Sequence, residues 1–134
     1  MRTDWHQAAL DGDGDTIARL IAEGATIDSL DRHGQTALML AAVHGHDEVV
    51  RVLVSNGADM DVTAKFGLSA LMLAVINLRT DIAAALVDAG ADISVRGRGA
   101  PGFAGKTARH LATDRGLDHL ADHIAAAERR NLDT

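Results

Sequence analysis

The chain has no cysteine, no tyrosine, one proline and only 2% aromatic residues among its 134 positions. The lack of cysteine removes disulfides, thiolate nucleophiles and cysteine-based zinc sites together, and it is compatible with a cytoplasmic home. With so few aromatics any core must be aliphatic. No apolar run approaches the roughly 20 residues of a membrane span, and the opening MRTDWHQAALDGDGD has no apolar segment of the kind a signal peptide needs. The expectation is therefore a protein that stays where it is made and has no membrane partner. Basic residues are also in deficit: 13 Lys and Arg against 19 Asp and Glu leave a formal charge of -6. That balance argues against a nucleic-acid partner, because neutralising phosphates needs a net basic face.

What is present is a folded composition, 47% hydrophobic and 24% charged, of a length suited to one domain. Its landmarks recur at a constant step. Gly24, Gly57 and Gly90 are 33 apart, and so are Ala25, Ala58 and Ala91, Ala8, Ala41 and Ala74, and Leu20, Leu53 and Leu86. One lengthening of the step, to 38, carries Gly67 to Gly105, Ser69 to Thr107 and Leu86 to Ile124. The five extra residues fall in the glycine-rich stretch 95–106, which holds the only proline, Pro101. Insertions of this kind collect in exposed loops, where added length costs little.

Within one period, Thr36, Ser69 and Thr107 precede helix-forming runs and can accept a backbone N–H as N-caps. Leu38, Leu40, Ala41 and Ala42 give apolar contact on more than one side, as an inner helix between neighbours requires. Val49, Val50, Leu53 and Val54 recur at helical spacing, which leaves Glu48, Arg51 and Ser55 toward water. Gly57 then stands where a left-handed helix stop is wanted. No single unit could bury its apolar stripe alone; stacking makes one continuous core.

With TALMLA at Thr36, SALMLA at Ser69, TARHLA at Thr107, HGHDEVV from His44 and NGADMD from Asn56, the period of 33 resembles the ankyrin-repeat family. The resemblance runs from about Thr3 to Ala127. It implies an all-α ankyrin-repeat solenoid of about four helix–turn–helix units joined by short β-hairpins. The chain would be a single domain, 1–134, with units near 3–31, 32–64, 65–97 and 98–127 and a polar tail at 128–134. Asp4 and Gln7 at one end, and Asp118, His119, Asp122 and His123 at the other, would give the end units polar outer surfaces. Departures are visible as well. Ala37, Ala70 and Ala108 replace the proline of the signature, and Met39 and Met72 replace its histidine. In this family that histidine bonds to neighbouring turns, so those tethers are expected to be missing in the middle units, and only His110 keeps the residue type.

Several motifs imitate chemistry. APGFAGKT, from Ala100 to Thr107, satisfies a relaxed phosphate-binding-loop pattern, but the strand and the acidic metal partner it needs are not recognisable, and the repeat already accounts for Gly105 and Thr107. Gly97, Gly99 and Gly102 match a dinucleotide fingerprint with no strand–helix–strand around it. Asp11, Asp13 and Asp15 open like a calcium loop that fails at Thr16 and Ala22. His119 and His123 lie one helical turn apart without a third ligand. The expectation is no enzyme, no cofactor and no metal.

The family resemblance implies that a partner protein is gripped by a concave face of hairpin tips and inner-helix ends. Carried onto this sequence, the tips give Arg32, His33 and Gln35, then Lys65, Phe66 and Leu68. The helix ends give Leu10, Val43 and His44, Ile76 and Asn77, and Asp114 and Arg115. Leu10, Val43 and Ile76 fall one per unit, so stacking aligns them into an apolar stripe that Phe66 and Leu68 would widen. Phe66, as an aromatic, is the expected anchor. Arg96, Arg98, Lys106 and Arg109 form a basic cluster in an acidic chain, which could recruit an acidic segment or make the loop a small-ligand or phosphate sensor. The protein is expected to act as an adaptor, inhibitor or scaffold, and as a monomer.

Overall fold

In the computed structural model, which describes residues 4–132, eight α-helices follow one another in four antiparallel pairs. The inner members are α1 (Asp4–Asp11), α3 (Ala37–His44), α5 (Ala70–Ile76) and α7 (Ala108–Asp114). The outer members are α2 (Gly14–Ala22), α4 (Asp47–Ser55), α6 (Thr80–Asp88) and α8 (Asp118–Leu132). Inner helices pack in sequence, α1 on α3, α3 on α5 and α5 on α7, while α2 lies on α4 and α6 on α8. A groove lined by Val50, Arg51, Val54 and Ala85 separates α4 from α6. The start of the first unit at Thr3, the side chain of Asp4 and the tail residues 133–134 lie outside what is described; the rest of the expected tail continues α8.

Local sequence explains the elements. Thr36 Oγ1 accepts the Met39 N–H at 3.2 Å and Ser69 Oγ the Met72 N–H at 3.3 Å, each from a buried, extended cap residue. At α7, His110 Nδ1 accepts the backbone N–H of Thr107 at 3.0 Å, so the histidine retained from the family pattern closes its own helix start. The core is aliphatic, as the shortage of aromatics requires, with Ile17, Leu38, Leu53, Leu71, Leu86, Leu111 and Ile124 in its fully buried layer. Met39 and Met72 join it at 1% exposure each. They fill core volume at the positions where the family has a tethering histidine.

Tethers between units exist elsewhere, and they repeat with the period. The Asp28 carboxylate accepts the Asp59 N–H at 2.9 Å, and Asp61 likewise accepts Asp92 N–H at 2.9 Å. His46 Nε2 lies 2.7 Å from the Leu10 carbonyl, and Arg79, one period later, donates from Nε to the Val43 carbonyl at 3.1 Å. His123, expected on the outer surface of the cap, instead meets Asp88 of the preceding unit at 2.8 Å, while Asp118, His119 and Asp122 are exposed.

The hairpins are tight turns and, among the described residues, no β-strand forms; one isolated bridge joins Gly97 and Ala104. Their bases share one pattern. Asp31 N–H reaches the Gln35 carbonyl and Gly34 N–H the Asp31 carbonyl; Ala64, Leu68 and Gly67 repeat both bonds, and Gly97, Lys106 and Gly105 repeat them again. The insertion therefore sits wholly within the third tip, where 98–104 replaces the two residues 32–33 of the first. The loop folds back so closely that a Cβ on Gly97 would lie 2.5 Å from the Phe103 carbonyl oxygen.

Candidate interaction surface

The inner helices end in a row. Leu10 lies in the last turn of α1 at 36% exposure, and Val43 and Ile76 are half-buried at the corresponding points of α3 and α5. The expected apolar stripe is thus thin, and most exposed at Leu10. The adjoining positions His44, Asn77 and Asp114 are exposed, and Arg115 is half-buried. Asn77 folds back onto the Leu73 carbonyl at 2.8 Å. Asp114 pairs with Lys106, and the lysine contact holds its carboxyl below the usual range.

Along the tips, Arg32 and His33 are exposed and Gln35 is half-buried. The Asp31 carboxylate closes this first tip by accepting the His33 and Gln35 N–H groups at 2.8 and 2.9 Å. In the next tip the equivalent residue is Ala64, which has no such acceptor, and a single 3₁₀ turn, Lys65–Gly67, takes over. Phe66 sits there with φ 64, in the left-handed region a bulky residue rarely adopts. The inserted loop holds it: Arg98 N–H reaches the Phe66 carbonyl at 2.8 Å, and Gly99 passes so near that a Cβ would lie 3.3 Å from ring atom Cδ1. Lys65 is exposed with Nζ 5.1 Å from the Phe66 ring centre.

Two sequence expectations change. Leu68 is only 5% exposed and belongs to the core, because it carries the carbonyl that closes the tip and leads straight into the buried cap Ser69. It cannot widen the stripe. The basic cluster is also largely consumed: Lys106 pairs with Asp114, Arg109 with Glu128 at 2.8 Å, and Arg96 donates to the Gly105 carbonyl, which leaves Arg98 as its one member without such a contact among the described residues.

Two further surface residues were not singled out in the sequence. Phe103, from the insertion, packs on Phe66 with ring centres 5.7 Å apart; its signal was an aromatic inside a loop of a chain nearly devoid of them. Leu78, 60% exposed with φ 62, occupies the helix–helix turn where Gly12, Gly45 and Gly116 stand in the other units. That break in the glycine series was visible in the register.

A family model described as ankyrin repeats, in three copies, matches residues 5–97. The chain belongs to the ankyrin-repeat family. No curated protein matches it. The matched span covers the first three ankyrin units; the fourth, α7 with α8, stacks on α5 and α6 in the manner of the others. Ankyrin repeats are in general protein–protein interaction modules, and the family is typically non-catalytic. Among the described residues no helix is long and apolar enough to cross a membrane.

Proposed function

We propose that this ankyrin stack is a cytoplasmic, monomeric adaptor, inhibitor or scaffold that binds another protein through the face made by its tips and inner-helix ends, without catalysis of its own. The observation that carries the reading is the third unit. It presents half-buried Phe66 and Ile76 beside exposed Lys65 and Asn77, and its tip keeps an aromatic residue in a backbone conformation that costs about 1–3 kcal/mol. Among the described residues the other non-glycine residue with such a backbone is Leu78 of the same unit, but at Phe66 the strain carries a half-buried aromatic ring that the inserted loop holds in place, which supports use of the residue. Interface hot spots favour such partly desolvated aromatics.

The test is affinity capture from the native host with the intact chain and with the paired substitutions Phe66→Ser and Ile76→Ser, both judged folded by circular dichroism. Loss of at least about thirtyfold in affinity for the captured partner, the scale of one hot-spot residue, is the expected result. Equal capture by the variant would remove this face from consideration.

A further inference from the structure

Resting on that reading, we infer that the corner formed by Lys65, Phe66, Arg98 and Phe103 selects the partner, and that it takes an acidic peptide segment carrying an apolar side chain. Three independent observations meet there. The first is electrostatic. Neither 62–68 nor 95–106 contains an aspartate or glutamate, although the chain as a whole carries a formal charge of -6. Lys65 and Arg98 are both exposed, and among the described residues neither forms an ion pair, whereas Lys106 and Arg109 do. The tip of the second unit has a closing carboxylate, Asp31; in the two following tips Ala64 and Gly97 stand in its place, so the anion is missing where the two cations are.

The second observation is shape. The Phe66 and Phe103 rings, tilted at 45° with centres 5.7 Å apart, are both half-buried and make an apolar contact, with Lys65 Nζ 5.1 Å from the centre of the Phe66 ring. Arg98 lies along the backbone at Gly67, where a Cβ would come within 3.3 Å of its Cγ and Nη1. An extended segment laid across the corner would bring an apolar side chain onto the rings and carboxylates toward Lys65 and Arg98. The third observation is that the stack has no need of the insertion: the base of the tip closes with the same two backbone bonds in all three hairpins. What the added residues contribute is Arg98, Phe103 and the bond that holds Phe66.

The experiment uses nitrogen-15-labelled full-length protein titrated with three synthetic probes: a peptide of Glu and Asp around one Leu, the same peptide with Lys at every acidic position, and inorganic phosphate. Amide shifts at Lys65, Phe66, Arg98 and Phe103 with the acidic probe alone, weakened by NaCl through screening, are expected. Joint substitution Lys65→Glu and Arg98→Glu should reduce affinity about five- to tenfold, the sum of two exposed charge pairs, and Phe103→Ser should reduce it further with the helices intact. Equal response to the lysine probe, an acidic probe without effect on these amides, or phosphate shifting the same amides as strongly would each overturn the inference. The corner and the wider reading fail separately, the wider one only if capture survives Phe66→Ser with Ile76→Ser. If the captured partner is lost with Phe66→Ser and Ile76→Ser but retained with the two charge reversals, the face binds and the corner does not select an acidic segment.

Discussion

Leu78 shows how one residue can stand against its own repeat. It holds φ 62 at a turn where the other three units place glycine at φ 76, 77 and 72, and it leaves 60% of its surface in water. A left-handed backbone costs an L-residue about 1–2 kcal/mol, which glycine avoids at the expense of about 0.5–1 kcal/mol of unfolded-chain entropy. Leu78→Gly is therefore expected to stabilise the protein by about 0.5–1 kcal/mol, read as a rise in the midpoint of urea unfolding. A fall would mean that the leucine packs more than its exposure indicates. Leu78 and Leu68 bracket what single positions reveal in a sequence. The first was visible as a broken glycine series. The second was not, because hydrophobicity alone cannot tell a residue that points out of a tip from one that carries the tip into the core.

At the scale of the element, the helix caps and turns depend on short polar side chains, and several of these are acids. Asp13 accepts the hydroxyl and N–H of Thr16 at 2.6 and 3.1 Å at the start of α2, and Asp92 accepts the hydroxyl and N–H of Ser94 at 2.6 and 2.8 Å before the inserted tip. In both, the hydroxyl bond is the largest cause holding the carboxyl below its ordinary value of 3.8. A depressed folded value means that the unfolded chain binds more protons, so this stability is present above the ordinary value and is lost as pH falls through the folded one. Urea midpoints should consequently drop between about pH 5 and about pH 3, and the drop should be smaller in Asp92→Asn. An unchanged slope in that variant would show that other carboxylates govern the acid limb.

Elements were also where the sequence was most legible. The caps at Thr36 and Ser69, the paired helices and the location of the insertion all follow from residue types at a constant step, because each is decided by local chemistry. The fate of the basic cluster was not legible. Lys106 meets Asp114 and Arg109 meets Glu128 across eight and nineteen residues, and such partners depend on how the inserted tip lies along α7 and on how α7 packs on α8. Phe103 on Phe66 is hidden for the same reason, with the fold of the loop added.

For the whole molecule, the stack makes stability nearly one-dimensional: each unit is held by its own packing and by its neighbours, and end units have one neighbour where middle units have two. Leu53 in α4 and Ile124 in α8 occupy equivalent register positions, and both have no exposed surface. Truncating either to alanine should cost about 2–5 kcal/mol locally, but the consequences should differ with place. In Leu53→Ala the damaged unit lies between two others, so both sides lose support and unfolding should remain a single transition at a lower midpoint. In Ile124→Ala the damage can be shed from the end. Native-state hydrogen exchange should then quicken through 108–132 while α3 to α6 keep their protection, since opening the last unit breaks chiefly the contacts of α7 on α5 and α8 on α6. The His123–Asp88 contact at 2.8 Å crosses that same boundary and would be lost with it. Uniform acceleration through all eight helices would instead mean that the coupling between units exceeds the stability of each one. The corner at Phe66 would then be tied to the fourth unit through Arg98 as tightly as the core is.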